Sequence, residues 1–148
     1  MDGSKGKKIG TQEKEYIEIG CHKNDENITE IVDFIKSRQG NISACQGEKQ
    51  YEIPVVDILY LESVDNKVFL YLANESYESK RKLYEFEEIL TKRNFIRISK
   101  SVVVNLMKVK AIKPALNGRF LCQLSNGEEV IISRKYVPQM KEKLKRSV

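Results

Sequence analysis

Asn117-Gly118 and Asn126-Gly127 lie nine residues apart, and segments rich in aliphatic residues flank both. An Asn-Gly pair is a strong hairpin signal, because a two-residue type I′ turn needs φ > 0 at both central positions. Two such pairs at this spacing restrict the chain to a β-meander here. Its strands are expected at Val109 to Leu116, Arg119 to Leu124 and Glu128 to Ile132.

The pattern extends upstream. Ile58 to Glu62 and Val68 to Leu72 read as strands on either side of an Asp65-Asn66 turn. Asn74-Glu75 turns into Ser76 to Lys82. Leu83, Phe86 and Leu90, at i, i+3 and i+7, predict a short helix ending before Asn94. Phe95 to Ser99 returns to an extended pattern. The chain closes with a basic helix carrying Val137, Met140 and Leu144 on one face, where Pro138 fits the first turn.

The N-terminal part differs. Residues 1 to about 14 are Gly- and Lys-rich without periodicity, which predicts a frayed start. Tyr16-Ile17-Glu18-Ile19 reads as a strand. Asn27 as N-cap with Glu30 at N3 opens a helix over 27–39, and Gly40 follows its end. Ile28, Ile31, Val32 and Ile35 form an apolar stripe that calls for a cover, either the sheet or a second copy of the chain. Extended pieces follow near 42–46 and 50–54. The expected fold class is mainly β, with α+β character at the N-terminus.

Composition narrows the class. Of the 148 residues, 41% are hydrophobic and 32% charged, which excludes collagen-like, mucin-like and fully disordered chains. No apolar run is long enough for a transmembrane helix, and the first residues lack a signal-peptide core. Three cysteines without close spacing argue against a disulfide framework or a zinc knuckle. They read as small hydrophobes in a reducing, cytoplasmic compartment.

The charge is divided unevenly. Lys92 to Val148 carries 14 basic and 3 acidic residues, whereas residues 1 to 91 carry 12 basic and 18 acidic ones. So steep a split suits an anionic partner for the C-terminal part, though a solubilising surface would look similar.

Catalysis has little to work with. His22 is the only histidine, the early glycines precede any strand, and adjacent Glu87 and Glu88 point to different faces, where solvation is expected. No enzyme activity, metal, cofactor or small-molecule substrate is expected. Neither a helix-turn-helix nor a ribonucleoprotein box is present. Nucleic acid would therefore be met by loops and strand ends. The best-placed groups are Asn66 and Lys67, then Arg97, Ser99, Lys100 and Ser101, then Ser133, Arg134 and Lys135. Arg suits a guanine edge, Lys an acceptor or a phosphate, and Ser a phosphate. Arg97 alternates with Ile96 and Ile98 and could equally pair with an acidic neighbour on the sheet. An RNA-binding module or a protein-interaction module using the 27–39 helix are the alternative readings.

Phe95-Ile96-Arg97-Ile98-Ser99-Lys100-Ser101-Val102-Val103-Val104-Asn105 resembles the central signature of LytTR DNA-binding domains. Asp57 to Ser63 resembles the family's opening strand, Leu83 to Leu90 its short helix, and Asn126-Gly127 with Ile132-Ser133-Arg134-Lys135-Tyr136 its closing motif. The resemblance covers about residues 50 to 146. It implies an elongated antiparallel β domain, here 53–148, behind a strand-helix-strand extension over 1–52. It implies a bacterial transcription regulator whose loops enter successive major grooves of double-stranded DNA, commonly at direct repeats. By position, contacts fall at Asn66 or Lys67, at Lys100 and at Arg134. Ser99 and Lys100 stand where many members have His and Arg, and Lys lacks the planar fork of Arg. Too few residues precede the match for a receiver domain, so a stand-alone regulator is expected. Control would then pass through abundance or a partner protein such as a small membrane protein, and a homodimer is a further partner to expect.

Overall fold

The computed structural model describes residues 26–38 and 40–147. The expected strand at Tyr16 to Ile19, and also Cys21 and His22, lie outside the described residues. Helix α1 spans Glu26–Arg38 and leads into a hairpin of β1 (Asn41–Gln46) and β2 (Lys49–Pro54). Strands β3 (Tyr60–Val64), β4 (Lys67–Tyr71) and β5 (Ser76–Ser79) follow. Helix α2 (Leu83–Leu90) then precedes β6 (Phe95–Arg97) and β7 (Val102–Asn105). Strands β8 (Val109–Pro114), β9 (Phe120–Leu124) and β10 (Glu129–Ile132) form the meander, and α3 (Val137–Ser147) ends the chain.

Seven strands make one antiparallel sheet, in the order β2-β1-β5-β4-β3-β7-β6, and β10-β9-β8 make a second. The fold is mainly antiparallel β, as expected. Strand β2 runs across the expected domain boundary between 52 and 53.

The large sheet has a core on each face. One contains Leu61, Leu70, Phe95 and Val103, covered by Leu83, Phe86 and Leu90 of α2. The other contains Ile96, Ile98 and Val104 and packs on Cys122, Leu124 and Ile132 of the small sheet and on Val137 and Met140 of α3. Neighbouring strand residues point to opposite faces, so Val103 serves one core and Val104 the other. That double burial explains a strand without the polar alternation of a half-exposed one; Val102–Asn105 goes unmarked in the pattern of the sequence. Phe86 is wholly buried, and truncating so large a side chain typically costs about 3–5 kcal/mol.

The turns depart from expectation in an instructive way. Neither Asn-Gly pair makes a two-residue I′ turn. At the first, Ala115 N–H donates to the Arg119 carbonyl at 2.8 Å, closing a three-residue loop with φ of 61° at Asn117 and 76° at Gly118. At the second, Gly127 N–H donates to the Leu124 carbonyl at 2.9 Å, and only the glycine has positive φ. Asn126 instead accepts from Glu128 N–H through its side chain, the local competition with the backbone typical of this residue. The two-residue turn with positive φ at both positions is Asp65-Asn66, flanked by the Val64–Lys67 pair.

The cap expected for the N-terminal helix fails. Helix α1 starts at Glu26, so Asn27 lies inside it rather than capping it. Of the two covers expected for its stripe, the chain's own sheet leaves Ile28, Ile31 and Ile35 exposed and Val32 partly buried. Cys45 is disulfide-bonded, against the reading of the cysteines as small hydrophobes in a reducing compartment. Bond formation follows the spatial approach of two cysteines, which sequence spacing does not report. Cys122 is free and fully buried, and burial pushes its thiol up to about 11.

Candidate nucleic-acid interface

The register brings three loops to one end of the molecule. The β3–β4 turn carries Asp65 and Asn66. The β6–β7 connection, residues 98–101, lies beside it: Ser63 N–H donates to the Ser101 carbonyl at 2.8 Å. Residues 133–136, between β10 and α3, come next, because Ser133 N–H donates to the Ile98 carbonyl at 2.8 Å. Two backbone hydrogen bonds thus tie together segments that are 35 or more residues apart in the chain.

Asn66, Lys67, Lys100, Arg134 and Lys135 are exposed along this end, while Ser99, Ser101 and Ser133 are partly buried. Lys67 Nζ lies 3.2 Å from Glu78 Oε1 on the neighbouring strand. Such an exposed pair is weak and leaves the ammonium able to exchange its partner for a phosphate. Asn66 stands in the turn, at positive φ and exposed.

Arg97 does something different. Its Nη1 donates to Glu87 Oε1 on α2 at 2.7 Å. Its Nε donates to the Ser99 carbonyl at 3.0 Å and its Nη2 to the Lys100 carbonyl at 2.5 Å. Ser99 Oγ accepts from Ser101 N–H, and Ile98 N–H donates to the Val102 carbonyl. The planar guanidinium therefore clamps the loop from behind and leaves the Lys100 side chain outside it. Glu87, expected to be merely solvated, is the counter-charge of this clamp.

Arg134 opens a short 3-10 turn that delivers the chain into α3. Its aliphatic stem crosses Gly118, where an added methyl would lie 2.9 Å from Arg134 Cδ. Asn105, the last residue of the central signature, is structural. It is 2% exposed, donates to the Ile58 carbonyl and accepts from Met107 N–H. Gly118 and Glu87 are thus the contributors that sequence reasoning missed. Only their unusual backbone and a remote ion pair mark them, and neither is visible in spacing.

Among the described residues no group of three or more His, Cys, Asp or Glu side chains is placed to hold a metal ion. Titration behaviour is perturbed away from the loops. Burial, followed by the Glu128, Tyr71 and Glu62 charges, pushes Tyr60 up to about 12. Tyr77 is also pushed up to about 12, first by its hydrogen bond to Glu75 and then by burial.

Comparison with known proteins agrees with this geometry. Residues 48–145 match the family described as LytTr DNA-binding domain. A Bacillus cereus structure, the LytTr DNA-binding domain of a protein described as a methyl-accepting/DNA response regulator, superposes with a TM-score of 0.67 at 30% identity. It covers 71% of this chain and 96% of that one. An uncharacterized HTH-type transcriptional regulator of Staphylococcus aureus strain NCTC 8325 / PS 47 is 27% identical over 131 residues, covering 87% of this chain and 88% of the relative. The sensory transduction protein LytT of Enterococcus faecalis is 27% identical over 135 residues, covering 81% of this chain and 56% of LytT. Despite the "HTH-type" name of one relative, each of α1 and α2 here leads toward a strand rather than a second helix. A family match over residues 48–145, with the fold and the signature residues in place, shows that this chain belongs to the LytTR family of DNA-binding domains.

Proposed function

We propose that this chain regulates transcription by binding a specific double-stranded DNA sequence through the loops at 65–67, 98–101 and 133–135. The observation that carries this reading is their convergence at one end, joined by the Ser63–Ser101 and Ser133–Ile98 hydrogen bonds. Arg134 and Asn66 have the side-chain chemistry to read base edges, and Lys100, Lys67 and Lys135 suit phosphates or guanine acceptors. The serines at 99, 101 and 133 shape the loops and offer hydroxyls to the backbone of the duplex. Arg97 acts from behind, by holding Lys100.

The family resemblance adds direct-repeat sites occupied by two copies, and control through a partner such as a small membrane protein. This activity belongs in the cytoplasm. No helix among the described residues is long and apolar enough to cross a membrane.

The test is a titration of wild type, Arg134→Ala and Lys141→Ala against a duplex selected from a random pool and its scrambled version. Arg134→Ala should cost about 1–3 kcal/mol on the selected site and reduce discrimination. Lys141, whose Nζ sits 5.7 Å from the Phe120 ring centroid, is exposed on α3. Lys141→Ala should weaken both duplexes alike. An unchanged affinity ratio in Arg134→Ala refutes loop readout. Tighter binding to single-stranded RNA than to either duplex would favour the RNA-binding reading.

A further inference from the structure

The β8–β9 loop adds a fourth element to the binding end. Phe120 pairs with both Pro114 and Ile132, so the loop at 115–119 and the Ser133–Lys135 segment leave the small sheet at the same edge. The Arg134 stem passes so close to Gly118 that a Cβ there would lie 2.9 Å from its Cδ, which puts the two segments side by side. Arg119 is exposed beside this contact. Its Nε donates to the Leu116 carbonyl at 3.1 Å, which holds the head group against its own loop. Among the described residues no carboxylate pairs with it. The residue is exposed, so its head group is open to a ligand. Neither the signature residues nor the three loops above include it.

We infer that the loop Ala115–Arg119 is a further DNA contact, in which Arg119 holds a backbone phosphate beside the groove that Arg134 enters. The inference rests on the proposed DNA-binding mode. The chemistry is that of a phosphate clamp. A guanidinium presents parallel N–H donors that match two phosphate oxygens, and the bond from Nε to Leu116 reduces the rotamer freedom lost on binding. Gly118 makes the arrangement possible, because any side chain there would push Arg134 away from the loop. The phosphate contact then sets the register in which Arg134 meets base edges. The positive φ at Asn117 and Gly118 folds the loop back tightly, so Arg119 lies close to the sheet edge and not on a long flexible arm.

The experiment uses the full chain with Arg119→Gln, Arg119→Lys and Lys110→Gln, titrated on the selected and scrambled duplexes over a range of salt. Lys110 is exposed near the start of β8, away from the loop, and controls for loss of one charge. Arg119→Gln should weaken both duplexes by a similar factor, on the order of three- to tenfold, and lower the salt slope by about one. Arg119→Lys should keep the slope and lose part of the affinity, since an ammonium supplies charge without the fork. Lys110→Gln should leave the slope unchanged. If Arg119→Gln matches wild type on both duplexes, or matches Lys110→Gln, the contact does not exist. Arg134→Ala, run alongside, separates the two claims. Lost discrimination there with an unaffected Arg119→Gln overturns only this inference. Unchanged discrimination there with a reduced slope in Arg119→Gln overturns base readout by Arg134 and keeps the phosphate contact.

Discussion

The side chain of Arg134 lies across Gly118, so closely that a methyl group at residue 118 would stand 2.9 Å from its Cδ. Gly118 also has φ of 76°, a conformation that costs a residue with a Cβ roughly 1–2 kcal/mol. Gly118→Ala should therefore act twice. Stability should fall by about that amount in a urea titration, and Arg134 should be displaced. Discrimination between selected and scrambled duplexes should drop, whereas a merely strained loop would lower stability and leave discrimination intact.

Arg97 and Glu87 join β6 to α2 across a 2.7 Å ion pair, and the same guanidinium holds the Ser99 and Lys100 carbonyls. Arg97→Ala should cost about 1–3 kcal/mol, because the pair is partly buried and two carbonyls lose a charged donor. Amide hydrogen exchange at residues 99–101 should quicken. Arg97→Lys should keep the charge and still loosen the loop. Unaltered exchange in Arg97→Ala would show that the loop holds its shape without the clamp.

Ile31 is 61% exposed on α1. Ile31→Asp should therefore change the stability of the monomer by no more than about 0.5 kcal/mol. A larger fall in the denaturation midpoint at low protein concentration would mean that the helix packs on the sheet through this residue after all. A change of mass in solution would instead identify a second copy as its cover.

Two tyrosines make the folded state sensitive to alkali. Unfolded tyrosine ionises near its ordinary value of 10, while Tyr60 and Tyr77 hold their protons up to about 12. The raised folded values mean that their contribution is fully present below 10 and is lost as pH climbs from 10 toward 12. Denaturation midpoints should fall across that window. Tyr77→Phe should flatten the fall by removing the phenol that donates to Glu75. An equally steep fall in that variant would assign the alkaline loss to other groups.

Burial should also silence Cys122. Its thiol is pushed up to about 11 and has no exposed surface, so too little thiolate forms at neutral pH to react. Peptide mapping after alkylation should find it unmodified in the native protein and modified in denaturant. Labelling in the native state would show that the small sheet opens.

Local rules were enough to determine much of this protein. Turn pairs between apolar segments marked β4 and β9, the i, i+3, i+7 spacing of Leu83, Phe86 and Leu90 marked α2, and the basic residues clustered beyond Lys92 pointed to a polyanion. The signature from Phe95 to Asn105 pointed to the family. These signals survive in sequence because each depends on neighbours a few residues away. Tertiary structure decided the rest. Val102–Asn105 is a strand buried on both faces because each face finds a core, and the meander's glycines took other turns than the paired residues suggest because flanking registers set loop length. Arg97 became a clamp because Glu87 arrives from α2 beside it. Arg134 gained its support because the β8–β9 loop returns to Gly118. Each of these depends on which distant segments become neighbours, and packing and strand register, not spacing along the chain, establish that.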